Sequence, residues 1–161
     1  MIPGRSHGLG TVCPARKIVI VLRIREDLVD AMVAHARRDH PDEACGILAG
    51  PEGSGEPQRV IPMLNAARSP TYYEFDSTEW NAVYREMTAK DEEPVVIYHS
   101  HTATEPYPSR TDIARAQEYA QFLAPPHYVL IGTRDPERHE LRSYRILDGE
   151  VTEEPVDVVP T

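Results

Sequence analysis

A short run of β-branched and aromatic residues ends directly in two histidines, and this junction constrains the fold more than any other part of the chain. Residues 94–98 read Pro-Val-Val-Ile-Tyr, a composition that predicts a buried strand. His99 and His101 follow at the C-terminal end of that strand. Because side chains two positions apart on a strand point to the same side, both imidazoles can face one ion while Ser100 points away.

A carboxylate follows at a position that suits a third metal ligand. After a turn-rich stretch a helical pattern begins near Ser109, and Asp112 falls in its first turn. Two histidines and one carboxylate leave a coordination position for water, which is the donor set of an open catalytic zinc site. A closed structural site would usually be rich in cysteine and filled by four protein ligands. The candidate zinc ligands are therefore His99, His101 and Asp112.

The same residues also have a purely structural interpretation. A His-x-His pair at a strand end is often only a polar edge. Ser109 and Asp112 also match a helix capping box, in which the serine accepts from a backbone N–H and the acidic residue reaches back. A hydroxyl accepts and donates at once, but we expect that Asp112 does not easily cap and coordinate together. The complete pattern favours the metal site.

Glu43 is the candidate base that would take a proton from the activated water. It lies where a predicted helix gives way to a short apolar run, an odd place for a carboxylate unless it faces a cleft. Taken alone, it reads as a solvated carboxylate at a helix end. Cys45, two residues further on, could supply a reactive thiol or a metal contact, but a small buried filler is favoured.

Together these residues resemble the signature of the JAMM (MPN+, Mov34/PAD-1) metalloprotease family. All five positions match: Glu43, then His99-Ser-His101, seven residues, Ser109, two residues and Asp112. The likeness is greatest to the small bacterial Mec type, peptidases that release cysteine from a ubiquitin-like sulfur-carrier protein. It runs from about residue 17 to the C-terminus and is strongest over residues 31–46 and 134–146.

The resemblance implies a role for each matched residue. It implies that His99, His101 and Asp112 hold Zn²⁺ and that Glu43 hydrogen-bonds the metal-bound water as general acid and base. It also implies that Ser109 donates a hydrogen bond to the developing oxyanion. The chain is too compact for the insertions of the eukaryotic ubiquitin-cleaving members, so a polyubiquitin substrate is not expected.

The implied reaction is hydrolysis of the amide that follows the C-terminal Gly-Gly of a ubiquitin-like sulfur carrier, which would free cysteine for cysteine biosynthesis. One alternative is a protease that trims a carrier precursor to expose its diglycine. Another is a non-catalytic MPN scaffold module, against which the retention of all five motif residues argues. A cysteine synthase and a second copy of the chain, in a homodimer, are further candidate partners.

The order of elements predicts an α+β fold: a single MPN/JAMM-like domain whose mixed, mainly antiparallel sheet is flanked by helices. Strands are expected at residues 17–24, 43–49, 58–63, 72–75, 94–99, 127–132 and 140–147, with a short final strand after the turn at Asp148 and Gly149. Helices are expected at residues 25–39, from a cap at Asp76 through about Lys90, and at 110–122. The second helix should pack through the stripe Trp80, Val83, Tyr84 and Met87, and the first through Leu28, Ala31, Met32, His35 and Ala36.

Length and composition limit the remaining possibilities. With 161 residues the chain suits one well-buried core. Residues 1–16 lack hydrophobic periodicity, so we expect a flexible N-terminal extension followed by a JAMM/MPN+ domain over 17–161. No apolar run makes a signal peptide or approaches the roughly 18 residues of a membrane span, and a cytoplasmic protein is expected. The net charge of −9 argues against a nucleic-acid partner.

Overall fold

The computed structural model of the protein describes residues 20–161. Over this range the chain forms three helices and eight strands. In chain order they are β1 (Leu22–Arg25), α1 (Glu26–Asp39), β2 (Cys45–Pro51), β3 (Arg59–Met63), α2 (Ser77–Ala89), β4 (Glu92–His101), α3 (Arg110–Tyr119), β5 (His127–Gly132), β6 (Glu140–Leu147), β7 (Glu150–Glu154) and β8 (Val156–Val159).

Six strands form one mixed sheet in the order β3-β2-β4-β5-β6-β7, and β1 and β8 form a separate parallel pair. Every neighbouring pair in the large sheet is antiparallel except β4 and β5, which are parallel and are connected through α3. Parallel neighbours need a crossover of this kind. The predicted α+β class with a mixed, mainly antiparallel sheet is confirmed.

The sheet is covered on both faces, which is why its central strands are apolar almost throughout. On one face, Ile47, Ile97 and Leu130 pack with Met87 of α2 and Tyr119 of α3. On the other face, side chains of β2, β4 and β5 pack with those of α1 and β1, among them Leu48, Val96, Tyr98, Val129, Met32 and Leu22. The histidine-bearing end of β4 therefore emerges from a rigid, doubly covered layer.

Gly46 is required by a close approach in this core. A Cβ atom at this position would lie 2.4 Å from the Tyr98 ring, well inside van der Waals contact. Tyr98 is directly opposite Gly46 in the pairing of β2 with β4, and its hydroxyl is 2.7 Å from His35 Nδ1 of α1. The glycine thus lets one large side chain link the strand to the helix.

Two helix starts follow their predicted caps. Asp76 accepts a hydrogen bond from the Glu79 N–H at 2.9 Å, and α2 runs to a C-cap at Lys90. α3 begins after Ser109, as predicted, but ends at Tyr119 rather than at residue 122. Bonds of the i to i−3 type tighten the chain beyond Tyr119 into a turn.

Residues 72–75 do not form the predicted strand. In the described chain they make only an isolated bridge between Asn65 and Phe75. The Asn65 side chain instead donates to the Tyr72 carbonyl at 3.1 Å and accepts from the Glu74 N–H at 3.1 Å. A side chain that satisfies these backbone groups replaces a strand partner.

Other predictions need smaller corrections. Tyr84 and Ala31, expected in the core, are exposed, because each lies toward the solvent edge of its helix. Two strands rather than one follow the turn at residues 148–149, since Pro155 separates β7 from β8. β1 starts only at Leu22, and the predicted strand residues 17–19 lie outside the described chain, as does the proposed extension at 1–16.

No helix within residues 20–161 combines the length and apolar character needed to cross a membrane.

Candidate metal centre and active site

The two histidines at the end of β4 face one another in a buried position. His99 is paired with Cys45 of β2 and with Leu130 of β5, so strands on both sides fix its backbone. The Nε2 atoms of His99 and His101 are 3.2 Å apart. The two residues are 1% and 5% exposed, respectively, so their imidazoles are almost entirely shielded from solvent.

Asp112 of α3 completes a triangle with the two histidines. Its Oδ2 atom lies 3.2 Å from Nε2 of His99 and 3.2 Å from Nε2 of His101. An ion bound tetrahedrally at about 2.0 Å from each ligand requires ligand atoms about 3.3 Å apart. The structure thus brings together the three residues predicted as ligands, at separations that could hold a metal ion.

The inner atoms of the triangle are Nε2 of each histidine and Oδ2 of Asp112, and the surrounding hydrogen bonds leave them available to an ion. His101 Nδ1 is 2.9 Å from the Glu105 carbonyl oxygen, so this nitrogen carries the proton and donates. With an ion bound, Nε2 of His101 would present its lone pair to the ion, the usual arrangement in which an outer partner orients a metal-binding histidine. This donor set, with two imidazole nitrogens and one carboxylate oxygen, fits an open zinc-type site.

Asp112 caps α3 and faces the histidines through the same oxygen. The Ser109 N–H donates to Oδ2 at 2.8 Å, and the Asp112 N–H donates to Ser109 Oγ at 3.1 Å, which forms the predicted capping box. The capping bond does not keep Asp112 from facing the histidines. A carboxylate oxygen has more than one lone pair, so the cap does not use up the atom.

Electrostatics favours an ionised aspartate beside the two imidazoles. Burial by itself raises the pKa of Asp112, but His99, His101 and the Ser109 N–H outweigh it and hold that pKa well below its usual range. Burial lowers the pKa of His99. Burial also acts against protonation of His101, but its bonds to Asp112 and to the Glu105 carbonyl raise the pKa of that imidazole.

Glu43 lies immediately before β2 and is brought to the same place by the pairing of β2 with β4. Its N–H donates to the Ser69 carbonyl at 2.9 Å, and its carbonyl accepts from Asn65 Nδ2 at 3.0 Å. The carboxyl group is buried, and its Oε2 atom has no hydrogen-bond partner among the described residues. Burial raises the pKa of Glu43 to about 8, an effect that His101 opposes and Asp112 reinforces.

Ser100 anchors the backbone beside Glu43 instead of facing the centre. Its Oγ accepts from the Ala44 N–H at 2.8 Å, and its own N–H donates to the Ala44 carbonyl at 3.0 Å. The prediction that Ser100 points away from the two imidazoles agrees with this bonding. The pair of bonds joins the residue after Glu43 to the residue between the histidines.

Two further predictions concern Ser109 and Cys45. The Ser109 hydroxyl accepts the capping bond, so its own hydrogen stays available for another acceptor. Cys45 is fully buried in the core, and burial raises the pKa of its thiol. A thiol held protonated in an apolar core is a packing group, so the structure favours the filler interpretation over the reactive one.

Sequence reasoning missed residues that support the site from outside. The Tyr73 ring stacks on His99, with 4.5 Å between ring centroids, and is itself buried. Asn65 makes four hydrogen bonds that organise the loop beside Glu43. An asparagine in an irregular segment is a known signal for such a turn, but nothing in the local sequence pointed to the stacking of Tyr73.

The mixed sheet, with two histidines at the C-terminal end of its internal strand β4, places the chain in a known class. The family model of prokaryotic homologs of the JAB domain matches residues 25–147, and the chain belongs to this family. The predicted JAMM/MPN resemblance is confirmed.

Individual relatives make the comparison more specific. The chain is 70% identical over 141 residues to the CysO-cysteine peptidase of Mycobacterium tuberculosis (strain ATCC 25618 / H37Rv), covering 88% of this chain and 93% of that protein. It is 34% identical over 100 residues to the desampylase of Haloferax volcanii, covering 59% of this chain and 72% of that protein.

Solved structures share the fold. A protein from Desulfitobacterium hafniense superposes with a TM-score of 0.74 at 27% identity, covering 88% of this chain and 94% of that one. A JAB1/MPN domain protein from Archaeoglobus fulgidus superposes with a TM-score of 0.53 at 18% identity, covering 84% and 98%. At this level of identity the second likeness concerns the fold alone.

Proposed function

We propose that this protein is a zinc-dependent peptidase that hydrolyses the amide between the C-terminal Gly-Gly of a ubiquitin-like sulfur-carrier protein and cysteine, and so releases cysteine. The observation that carries the proposal is the triangle of His99, His101 and Asp112, with ligand atoms 3.2 Å apart and the buried Glu43 beside it. The name of the mycobacterial relative, CysO-cysteine peptidase, supports the substrate class.

His99, His101 and Asp112 would hold the ion through two nitrogen atoms and one oxygen atom. Bound zinc in such a site lowers the pKa of water to about 7 and polarises a carbonyl group. The three ligands lie on two rigid elements, β4 and α3, which the parallel neighbour β5 and the capping box of α3 hold in place. Such fixed geometry is needed for the ion to bind without large reorganisation.

Glu43 would move the proton. Its carboxylate takes a proton from the attacking water and gives it to the departing amine as the C–N bond breaks, leaving the carrier with a free C-terminal carboxylate. Burial beside the triangle raises the pKa of Glu43 in the metal-free protein, which makes this carboxylate a stronger base than an exposed one. A positioned proton shuttle of this kind contributes about 10²- to 10⁴-fold to the rate.

Ser109 would stabilise charge that forms only in the transition state. Its hydroxyl already accepts the Asp112 N–H, so its hydrogen can be donated to the developing oxyanion. Preorganised donors of this type contribute roughly 3 to 4 kcal/mol. Because the cap holds the oxygen in place, little reorganisation is needed when the charge appears.

The burial of the two histidines favours a thin, unbranched substrate tail. With the histidines only 1% and 5% exposed, a tail with small side chains would approach them most closely. Two glycines have almost no side chain, and an extended tail can add main-chain hydrogen bonds along a strand edge. These properties support a Gly-Gly tail over a general protein substrate.

The test combines metal analysis with a defined substrate. The purified protein should contain zinc and cleave a carrier–cysteine adduct, while Glu43→Gln and His101→Ala should not cleave it at a comparable rate. Undiminished cleavage by these variants would refute the assignment. A panel of carriers that end in cysteine or in other residues separates cysteine release from precursor trimming. If a metal titration detects no binding, a non-catalytic scaffold is favoured instead.

A further inference from the structure

One arginine lies in the loop that closes the Glu43 side of the centre. The loop, residues 65–71, is bonded to both sides of the site. The Ser69 carbonyl accepts from the Glu43 N–H at 2.9 Å. The Pro70 carbonyl accepts from Thr102 Oγ at 3.1 Å, and Thr102 directly follows the second histidine. Arg68 immediately precedes these contacts and is the only basic residue of the loop.

The backbone of Arg68 is held in an unusual conformation. Its φ is 45°, in the left-handed region that non-glycine residues rarely adopt. The Arg68 N–H donates to the Asn65 carbonyl at 3.1 Å, and the Asn65 side chain fixes the rest of the loop. Such a conformation persists only where the surroundings impose it, and it is frequent at functional sites.

The Arg68 side chain has no partner within residues 20–161. Arg68 is exposed, and its guanidinium takes part in no ion pair or hydrogen bond there, although the chain has 26 acidic residues against 17 basic ones. Two other arginines near the site are already engaged. Arg142 donates to the Glu105 carboxylate at 2.6 Å, and Arg115 lies over the Tyr73 ring, 5.6 Å from its centroid. An unpaired guanidinium on the loop that is bonded to Glu43 is therefore available to an anion of the substrate.

The proposed reaction brings such an anion to this side. Glu43 delivers the proton to the departing amine, so the released amino acid lies on the side of Glu43. A C-terminal residue carries its carboxylate on the carbon next to that amine. We propose that Arg68 binds the α-carboxylate of the released amino acid and so selects a single terminal residue over a longer peptide. The inference rests on the proposed function.

Charge and shape both favour this assignment. A protein with a net charge of −9 repels a carboxylate unless a cation lies close by. A guanidinium offers two parallel N–H donors that match the two oxygens of a carboxylate. The loop that carries Arg68 is bonded to the Glu43 backbone. The backbone of Arg68 is therefore held in a fixed position relative to Glu43, the residue that would protonate the leaving amine.

The experiment compares two substrates that differ only at their last group. One is the carrier ending in Gly-Gly-Cys with a free carboxylate, and the other ends in the corresponding carboxamide. The test variant is Arg68→Asn, because asparagine tolerates the left-handed backbone, and Arg68→Lys retains the charge. The matched control is Arg110→Ala, which removes an exposed arginine next to Ser109.

The wild type should prefer the carboxylate substrate by about tenfold or more in kcat/KM. Arg68→Asn should cleave both substrates nearly equally, through a higher KM for the carboxylate substrate alone. Arg68→Lys should retain part of the preference, and Arg110→Ala should retain all of it. Thermal unfolding of Arg68→Asn shows whether the loop has stayed intact.

The possible failures are distinguishable. If Arg68→Asn keeps the full preference, or if it slows both substrates by the same factor, Arg68 does not bind the carboxylate and the inference is overturned while the peptidase function stands. If the wild type cleaves neither adduct, the proposed function fails and this inference fails with it.

Discussion

Cys45 of β2 is paired directly with His99 of β4. The pairing brings Glu43, two residues before Cys45, to the end of the strand that carries both imidazoles. The bond from the Ala44 N–H to Ser100 Oγ joins residues 56 positions apart in the chain. The site is therefore a product of strand register, and a one-residue slip of β2 would turn these side chains to the other face of the sheet.

Removal of a histidine ligand should abolish metal binding without unfolding the protein. His101→Ala leaves two of the three inner atoms, so the zinc content should fall to near zero together with peptidase activity. Metal analysis after dialysis and circular dichroism check the two parts. His139→Ala, which removes an exposed histidine from the loop between β5 and β6, should retain full zinc content. Equal zinc loss in both variants would contradict the assignment.

Ser109 should contribute to catalysis and to stability through different atoms. Ser109→Ala should lower kcat by about 10²- to 10³-fold and the free energy of unfolding by about 1 kcal/mol, because it removes both the oxyanion donor and the helix cap. Ser109→Gly should lower kcat equally, but a glycine cap costs only a few tenths of a kcal/mol. Single-turnover kinetics and urea unfolding measure the two effects. If activity instead follows stability across the two variants, the hydroxyl has only a structural role.

The metal-free protein should become less stable as the pH rises. Burial raises the pKa of Glu43 to about 8 in the fold, from an ordinary value of 4.5. Between these values the folded state binds more protons at this group than the unfolded state does, so the free energy of unfolding falls with increasing pH. Urea unfolding of chelator-treated protein between about pH 5 and pH 9 measures this.

The matched comparison for that pH effect is Glu43→Gln, which carries no titrating group at this position. Its free energy of unfolding should fall less with pH than that of the wild type. The difference between the two proteins should be greatest above about pH 8. Parallel stability curves would show that Glu43 titrates normally.

Asn65 should be important for the loop that holds Glu43. Asn65→Ala removes four hydrogen bonds and leaves the buried Glu43 carbonyl without this partner, which should lower the free energy of unfolding by about 2 kcal/mol. Peptidase activity should fall as well, because the Glu43 carbonyl loses its partner. Asn81→Ala, on the exposed surface of α2, is the control and should change neither quantity appreciably. A stable Asn65→Ala protein would refute the organising role of this side chain.

Much of the fold could be predicted because its signals are local. The cap at Asp76, the start of α3 after Ser109 and the bounds of β5 and β6 follow from residue types within a few positions of one another. Residues 72–75 were misassigned for the same reason. Their aromatic composition is typical of a strand, but the pairing depends on Asn65, and one side chain there replaces a neighbouring strand.

The sequence alone determined the triangle of candidate ligands, since the two histidines share one face of a strand and Asp112 follows in the first turn of the next helix. Only the tertiary structure decided that Glu43 is buried beside them, that Tyr73 stacks on His99 and that the loop carrying Arg68 bonds to the Glu43 backbone. The physical reason is the distance along the chain over which each interaction acts. Period and capping act over a few residues, whereas the register of β2 against β4 is set by hydrogen bonds and packing between distant parts of the chain.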